Sequence, residues 1–234
     1  MITIRPAAER GFADHGWLQA HHTFSFARYM DPEWMGFSAL RVLNQDTIQG
    51  GQGFGTHPHD NMEILTWVFE GALEHKDSMG NGGVIRPGEA QFMSAGTGVT
   101  HSEFNHSPDE PCHLLQMWVL PAVRGAEPRY DQRAFGTADL AGRFCLITSG
   151  DETDDAITIG QNARFFVGRF DVGESATVDL APGRTAWLHV PRGRITLNDQ
   201  ELGPGDGAGV TEETLLTVTG VEDAEVVVWD LPPS

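Results

Sequence analysis

Glycine and proline cut this chain into short pieces. Its 28 glycines and 13 prolines fall between runs rich in Val, Ile, Phe, Trp and Thr, and short runs of that kind read as strands. "ILTWVFEG", "LLQMWVL" and "VVVWDLP" are nearly continuous apolar segments, as in buried strands, and "TFSFARY" alternates Phe24 with Phe26. Turn chemistry separates them at Asn81-Gly82-Gly83, Pro87-Gly88, Pro182-Gly183 and Pro204-Gly205. Only "AEPRYDQRAF" offers a short helix. The expectation is an all-β chain of short strands folded as a sandwich or barrel.

A weak internal repeat refines this. "VFEGALEH" followed by "IRPGEA" matches "VPRGRITL" followed by "LGPGDG": strand, Gly, strand, then a Pro-Gly-acid turn into another strand. Two copies of one β-unit would account for 234 residues. The boundary is expected within 136–160, giving domains 1–140 and 141–234, with the acidic run "SGDETDDA" as an exposed linker or loop.

The charge balance limits the partners. Fifteen Lys+Arg against 33 Asp+Glu give a formal net charge of -18, which repels nucleic-acid backbone and anionic membrane. Cys112 and Cys145 form no CxxC pair, so neither a thiolate zinc site nor a disulfide framework is expected. The first residues contain no apolar run of signal-peptide length, and no stretch reaches the ~20 apolar residues of a membrane helix. A cytoplasmic, monomeric protein is the expectation.

The chemistry-bearing pattern is "GTHPH" at 55–59 and "THSEF" at 100–104. Strand side chains alternate faces, so His57 and His59 project to one side, as do His101 and Glu103. On neighbouring strands, three imidazoles and one carboxylate would converge. Such a sulfur-free set suits one divalent transition metal, Fe(II) first, with Mn, Co, Ni, Cu or Zn as alternatives, and leaves coordination positions open. Glu63 lies four residues after His59 and competes with Glu103 on spacing alone. Equivalent steps from Gly193 and Pro204 reach Asp179, Ala181, Val218 and Gly220, with no His nearby. The second half is therefore expected to keep the scaffold without the ligands.

"GGQGFGTHPHDNMEILTWVFEG" resembles the first cupin motif, and "GTGVTHSEFN", with His101 and Asn105, resembles the second. More narrowly, "GWLQAHHTFSF", "MGFSALRVLN", "EGALEHKDSMGN" and "PGEAQFMSAGTGVTHSE" resemble the bacterial branch of the pirin family. The likeness is dense over residues 10–135 and returns only at "DLPP". Gly96, where the cupin motif often has Pro, and the late Gly71 are departures typical of the pirin branch. The resemblance implies a bicupin of two double-stranded β-helix (jelly-roll) barrels, with the metal in the N-terminal one. It also implies His57, His59, His101 and Glu103 as ligands, choosing Glu103 over Glu63. The activity it implies is quercetin 2,3-dioxygenase: dioxygen opens a flavonol ring and carbon monoxide is released, with Glu103 as the catalytic base. A regulatory role through a protein partner, also linked to pirins, is the alternative.

The remaining features read as structural. "GGQGFG" lacks the Lys-Ser/Thr of a phosphate loop and reads as a flexible approach to the metal strand. His15, His21 and His22 precede the first strong strand and read as surface or packing. His75, His106, His113 and His189 show no partner pattern and read as structural or exposed. Gln116 would pair with backbone, or else contact a ligand or the substrate. Phe54, Phe92 and Met117 fit either a pocket or a core.

Overall fold

The structure, a computed structural model, describes residues 1–152 and 156–233. It is built of strands: β1 (Ile2–Arg5), β2 (Gly11–Asp14), β3 (Leu18–His22), β4 (Leu40–Ile48), β5 (Gly53–His59), β6 (Glu63–Glu70), β7 (Leu73–Asp77), β8 (Gly82–Ile85), β9 (Glu89–Ser94), β10 (Val99–Asn105), β11 (Cys112–Val119) and β12 (Arg129–Ala134). After a short helix, α1 (Thr137–Leu140), come β13 (Phe144–Ser149), β14 (Ile157–Thr158), β15 (Arg164–Phe170), β16 (Ser175–Asp179), β17 (Thr185–Leu197), β18 (Gln200–Leu202), β19 (Gly207–Val210) and β20 (Leu215–Leu231). No helix among the described residues is long and apolar enough to cross a membrane.

The chain divides into two compact units. One comprises Gly11–Gly36 and Leu40–Phe135, the other Met1–Arg10, Phe37–Ala39 and Gly136–Ser234. The first strand thus belongs to the C-terminal unit, where β1 pairs antiparallel with β19 and covers its edge. That unit is a sheet ordered β1-β19-β17-β20-β15-β13-β14, with β16 on β20 and β18 on β17. Its core is mainly aliphatic, with Leu188, Val190, Ile195, Val226 and Val228 among its fully buried residues. The acidic run falls within this unit, after β13, and Thr153 to Asp155 lie outside the described residues.

The other unit holds a seven-stranded sheet, β12-β9-β6-β11-β4-β3-β2, and a four-stranded sheet, β5-β10-β7-β8. Apolar clusters pack within it. One gathers Leu18, Ile48, Val68, Leu73, Ile85 and Leu114, with Trp17 and Phe54 against it. Another gathers Ile64, Met93 and Val99, with Trp118 against it.

Three local expectations fail here. "AEPRYDQRAF" is mostly strand, because β12 pairs with β9 from Arg129↔Ser94 to Ala134↔Glu89. "TFSFARY" is no strand: Ala27, at φ 52, turns the chain and leaves one bridge between Phe26 and Tyr29. The repeat does survive as backbone conformation. Gly71 and Gly193 have φ 76 and 75, and Gly88 and Gly205 have φ 83 and 86, values that L side chains avoid.

Nor is "GGQGFG" simply a flexible approach. A Cβ on Gly53 would stand 2.2 Å from the Glu103 carbonyl oxygen and 2.5 Å from Phe104 Cα. Absence of a side chain there lets β5 lie against β10. Gly53→Ala is expected to lower unfolding free energy in urea by about 1–3 kcal/mol, as overpacking does. Gly55→Ala, whose Cβ meets nothing within 4 Å, should leave it unchanged.

Candidate metal centre

The four-stranded sheet places the donors by register. On β10, His101 stands opposite His57 of β5 and Asp77 of β7. Glu103 stands opposite Phe54 and His75, after a bulge between His101 and Glu103. Directly opposite residues share a face, so one surface collects His57, His101 and Asp77 in one row and Glu103 with His75 in the next.

Two overlapping donor groups result. In His57, His59 and His101, and again in His75, His101 and Glu103, one ligand atom from each residue lies within 4.8 Å of the others. The rings of the first group pack with centroids 4.4 Å (His57–His101), 4.8 Å (His59–His101) and 4.9 Å (His57–His59) apart. Glu103 is drawn into the second group, beside a histidine that its sequence context did not single out. Glu63 is in neither: the chain turns at Asn61, φ 46, and Glu63 begins β6 in the other sheet. Asn105 closes the motif structurally, its Nδ2 donating to the carbonyls of Ile48 and Glu110 at 2.9 and 2.8 Å.

The seven-stranded sheet supplies the facing wall. Its register sets His22, Asn44 and Gln116 in one row across β3, β4 and β11. His22 Nδ1 and Asn44 Oδ1 are 2.9 Å apart. Gln116 pairs with a side chain and not with backbone: its Nε2 donates to both oxygens of Glu103, at 3.0 and 2.9 Å. Its Oε1 accepts from Trp118 Nε1 at 3.2 Å. Between the two sheets lies a cavity of about 390 Å³, lined by Trp17, Phe26, Phe54 and Trp118 together with His57, His59, Glu103, Gln116 and His22. This volume falls within the ~300–1,000 Å³ common for small-molecule sites.

Phe54 therefore belongs to the pocket, whereas Phe92 and Met117 are buried in the core. His22 reaches the cavity; His21 is exposed and packs on Phe12. His15 is exposed, and His106 sits at the surface near Glu74. His113 pairs with Gln45 Nε2 at 3.0 Å, and His189 is buried in the other unit. His75 is the missed residue. It is fully buried beside His101, and its only sequence signal was alternation with Asp77.

Burial dominates the electrostatics. It pushes His59 down to about 4, helped by His57, and His101 down to about 3, helped by His57 and His59. Burial also raises the Glu103 carboxyl, although the Gln116 hydrogen bond opposes it. At neutral pH His59 and His101 are neutral, the form that binds metal. The Nδ1–H of His57 donates to the Gly55 carbonyl at 2.8 Å, which leaves its lone pair on Nε2. Nε2 of His101 is buried with no hydrogen-bond partner. A buried nitrogen without a partner costs about 1–3 kcal/mol, and a cation is the partner that neutral imidazoles would accept. The donor set fits a metal.

The depressed histidines also set a pH dependence. Between about 6.5 and their folded values the unfolded chain binds more protons, so stability rises with pH there. Through these two histidines the metal-free protein is expected to lose stability as pH falls from about 6.5 toward 3 to 4. Urea midpoints measured with a chelator present should show this, and a shallower slope is expected for His101→Asn.

Comparison with known proteins agrees with this geometry. The chain matches the family model described as Pirin over residues 4–119, and that described as Quercetinase C-terminal cupin domain over 146–231. It is 46% identical to the quercetin 2,3-dioxygenase of Escherichia coli, covering 100% of both chains. It is 41% identical to a pirin-like protein of Caulobacter vibrioides, covering 98% of this chain and 99% of that one. The crystal structure of YhhW from E. coli superposes with a TM-score of 0.96 at 45% identity, covering 100% of this chain and 99% of that one. The bacterial pirin YhhW in complex with nickel(II) gives 0.94 at 45%, covering 100% of both chains. The all-β architecture, the two matched domains and the full-length similarity lead to one conclusion: this chain is a bicupin of the pirin family.

Proposed function

We propose that this protein is a metal-dependent dioxygenase that opens flavonols such as quercetin, in the manner of a quercetin 2,3-dioxygenase. The observation that carries the proposal is the convergence of His57, His59 and His101 beside an aromatic-lined cavity of about 390 Å³ that His57, His59 and Glu103 help to line. Full-length similarity to a protein named for that activity supports it. A cavity that reaches the donors favours an enzyme over a pirin-type regulator acting through protein partners.

His57, His59, His101 and Glu103 would hold one divalent transition metal, with Fe(II) as the first candidate; the nickel complex of the E. coli relative supports a site of this type. A bound ion would supply Lewis acidity, favouring the anion of the flavonol 3-hydroxyl for reaction with dioxygen. The protein's own residues do the rest. Glu103, whose proton affinity is raised by burial, would take the 3-hydroxyl proton on a carboxylate oxygen. Gln116 holds that carboxylate toward the cavity through its two short contacts. Trp17 packs edge-on against Phe54, and Phe26 against Trp118; these pairs would flank a planar ring system and keep water from it. The His22–Asn44 pair would meet substrate hydroxyls.

Anaerobic purification with elemental analysis, followed by oxygen uptake with quercetin, tests the proposal. Near-stoichiometric metal and quercetin-dependent uptake are expected. The double variant His57→Ala, His59→Ala should lose both. Glu103→Gln should slow uptake by about 10²- to 10⁴-fold, the range for a lost general base. Full activity in the double variant would overturn the proposal.

A further inference from the structure

The two donor groups share His101, and the hydrogen bonds around it discriminate between them. We propose that Asp77 and His75 form a relay that fixes the tautomer of His101, so that His101 offers Nε2 to the metal alongside His57, His59 and Glu103 while His75 serves as a positioning residue. This inference rests on the metal-site reading above and adds residues outside its ligand set.

The relay begins at a fixed acceptor. The Asp77 side chain is fully buried. Its Oδ1 accepts from the backbone N–H groups of Met79 and Asn81, both at 2.9 Å, and its Oδ2 accepts from Asn81 Nδ2 at 3.0 Å. The same Oδ2 lies 3.3 Å from His75 Nε2. An ionised carboxylate only accepts, so His75 Nε2 carries the proton, and in a neutral ring Nδ1 then holds the lone pair. That Nδ1 stands 3.4 Å from His101 Nδ1, which must donate. The lone pair of His101 is left on Nε2, the buried nitrogen that has no partner.

Both ring nitrogens of His75 are thereby engaged, one with Asp77 and one with His101. His75 is therefore a hydrogen-bonded support for His101 and not a ligand of a second metal site. Register and packing hold the support in place. His75 is opposite Glu103, and Asp77 opposite His101. The ring of Tyr130 stacks on His75 at 5.1 Å and 29°. His57 receives equivalent help from the Gly55 carbonyl, so two of the three imidazoles are held through Nδ1 and present Nε2. Metal-binding histidines depend on such partners for orientation, and losing one typically costs 10- to 100-fold in affinity.

Two variants and one spectroscopic measurement test the relay. His75→Phe keeps a ring against Tyr130 and removes both nitrogens. His75→Asn keeps an acceptor oxygen near the former Nδ1. Calorimetric titration of Ni(II) into the metal-free full-length chain should show about 10- to 100-fold weaker binding for His75→Phe and recovery of most of the loss in His75→Asn. Nitrogen-15 NMR of the metal-free wild type should show His101 as the Nδ1–H tautomer, a readout that does not require either variant to fold. An Nε2–H tautomer, or His75→Phe binding as tightly as wild type, would overturn the relay and leave the metal site standing. A wild-type chain that takes no metal would overturn both.

Discussion

The register of β10 between β5 and β7 is the constraint on which the site depends. It places His101 opposite both His57 and Asp77, and Glu103 opposite His75. A slip of one residue would turn every β10 side chain to the other face, taking His101 and Glu103 out of the unit together. Several features hold the register. Gly53 permits close contact with the backbone at Glu103 and Phe104. Asn105 ties the end of β10 to Ile48 and Glu110. Leu73 and Ile85, on the strands beyond, are fully buried in the same apolar cluster that Phe54 packs against.

Much of the scaffold was legible because its signals are local. The apolar runs became β6, β11 and the end of β20, and the two pairs of repeat glycines adopt nearly equal positive φ values. The alternation of His57 with His59 on β5 follows from strand geometry alone. The misreadings arose where a local pattern met a nonlocal cause. Tyr130 and Gln132 face inward from β12 because β9 offers an edge to pair with, which "AEPRYDQRAF" cannot reveal. Glu63 could share the face of His59 only in an unbroken strand, and the turn at Asn61 breaks it.

His75 was missed for the same reason. Read alone, "HKD" on a strand looks like ordinary polar surface. It becomes central only because β10, not β6, is the neighbour of β7 in its sheet, and the chain reaches β10 after two further strands. The partner of Gln116 was equally hidden, since Glu103 belongs to the opposite sheet. Pairing order decides which polar residues meet, and a single sequence carries little information about pairing order beyond adjacent hairpins.

The contrast between the two units separates what the scaffold needs from what the chemistry needs. Both carry the same pair of glycine turns. The C-terminal unit fills its core mainly with Leu, Val and Ile, together with Phe165, Trp187 and Trp229. Its buried carboxylates are matched by cations: Glu225 by Arg169 and Arg192, and Asp230 by Arg184. Such pairing offsets the desolvation of a charge. The other unit instead buries His75, His101 and Glu103 against one another. Burial lowers the proton affinity of His101 and raises that of Glu103. Gln116 donates to Glu103 and Asp77 accepts from His75, and a lone pair at His101 Nε2 is left over. Aliphatic side chains would stabilise such a core better. His189 shows that the scaffold can bury a single imidazole. Among the described residues, however, imidazoles gather into donor groups only in the other unit, and what that gathering adds is a donor set that fits a cation.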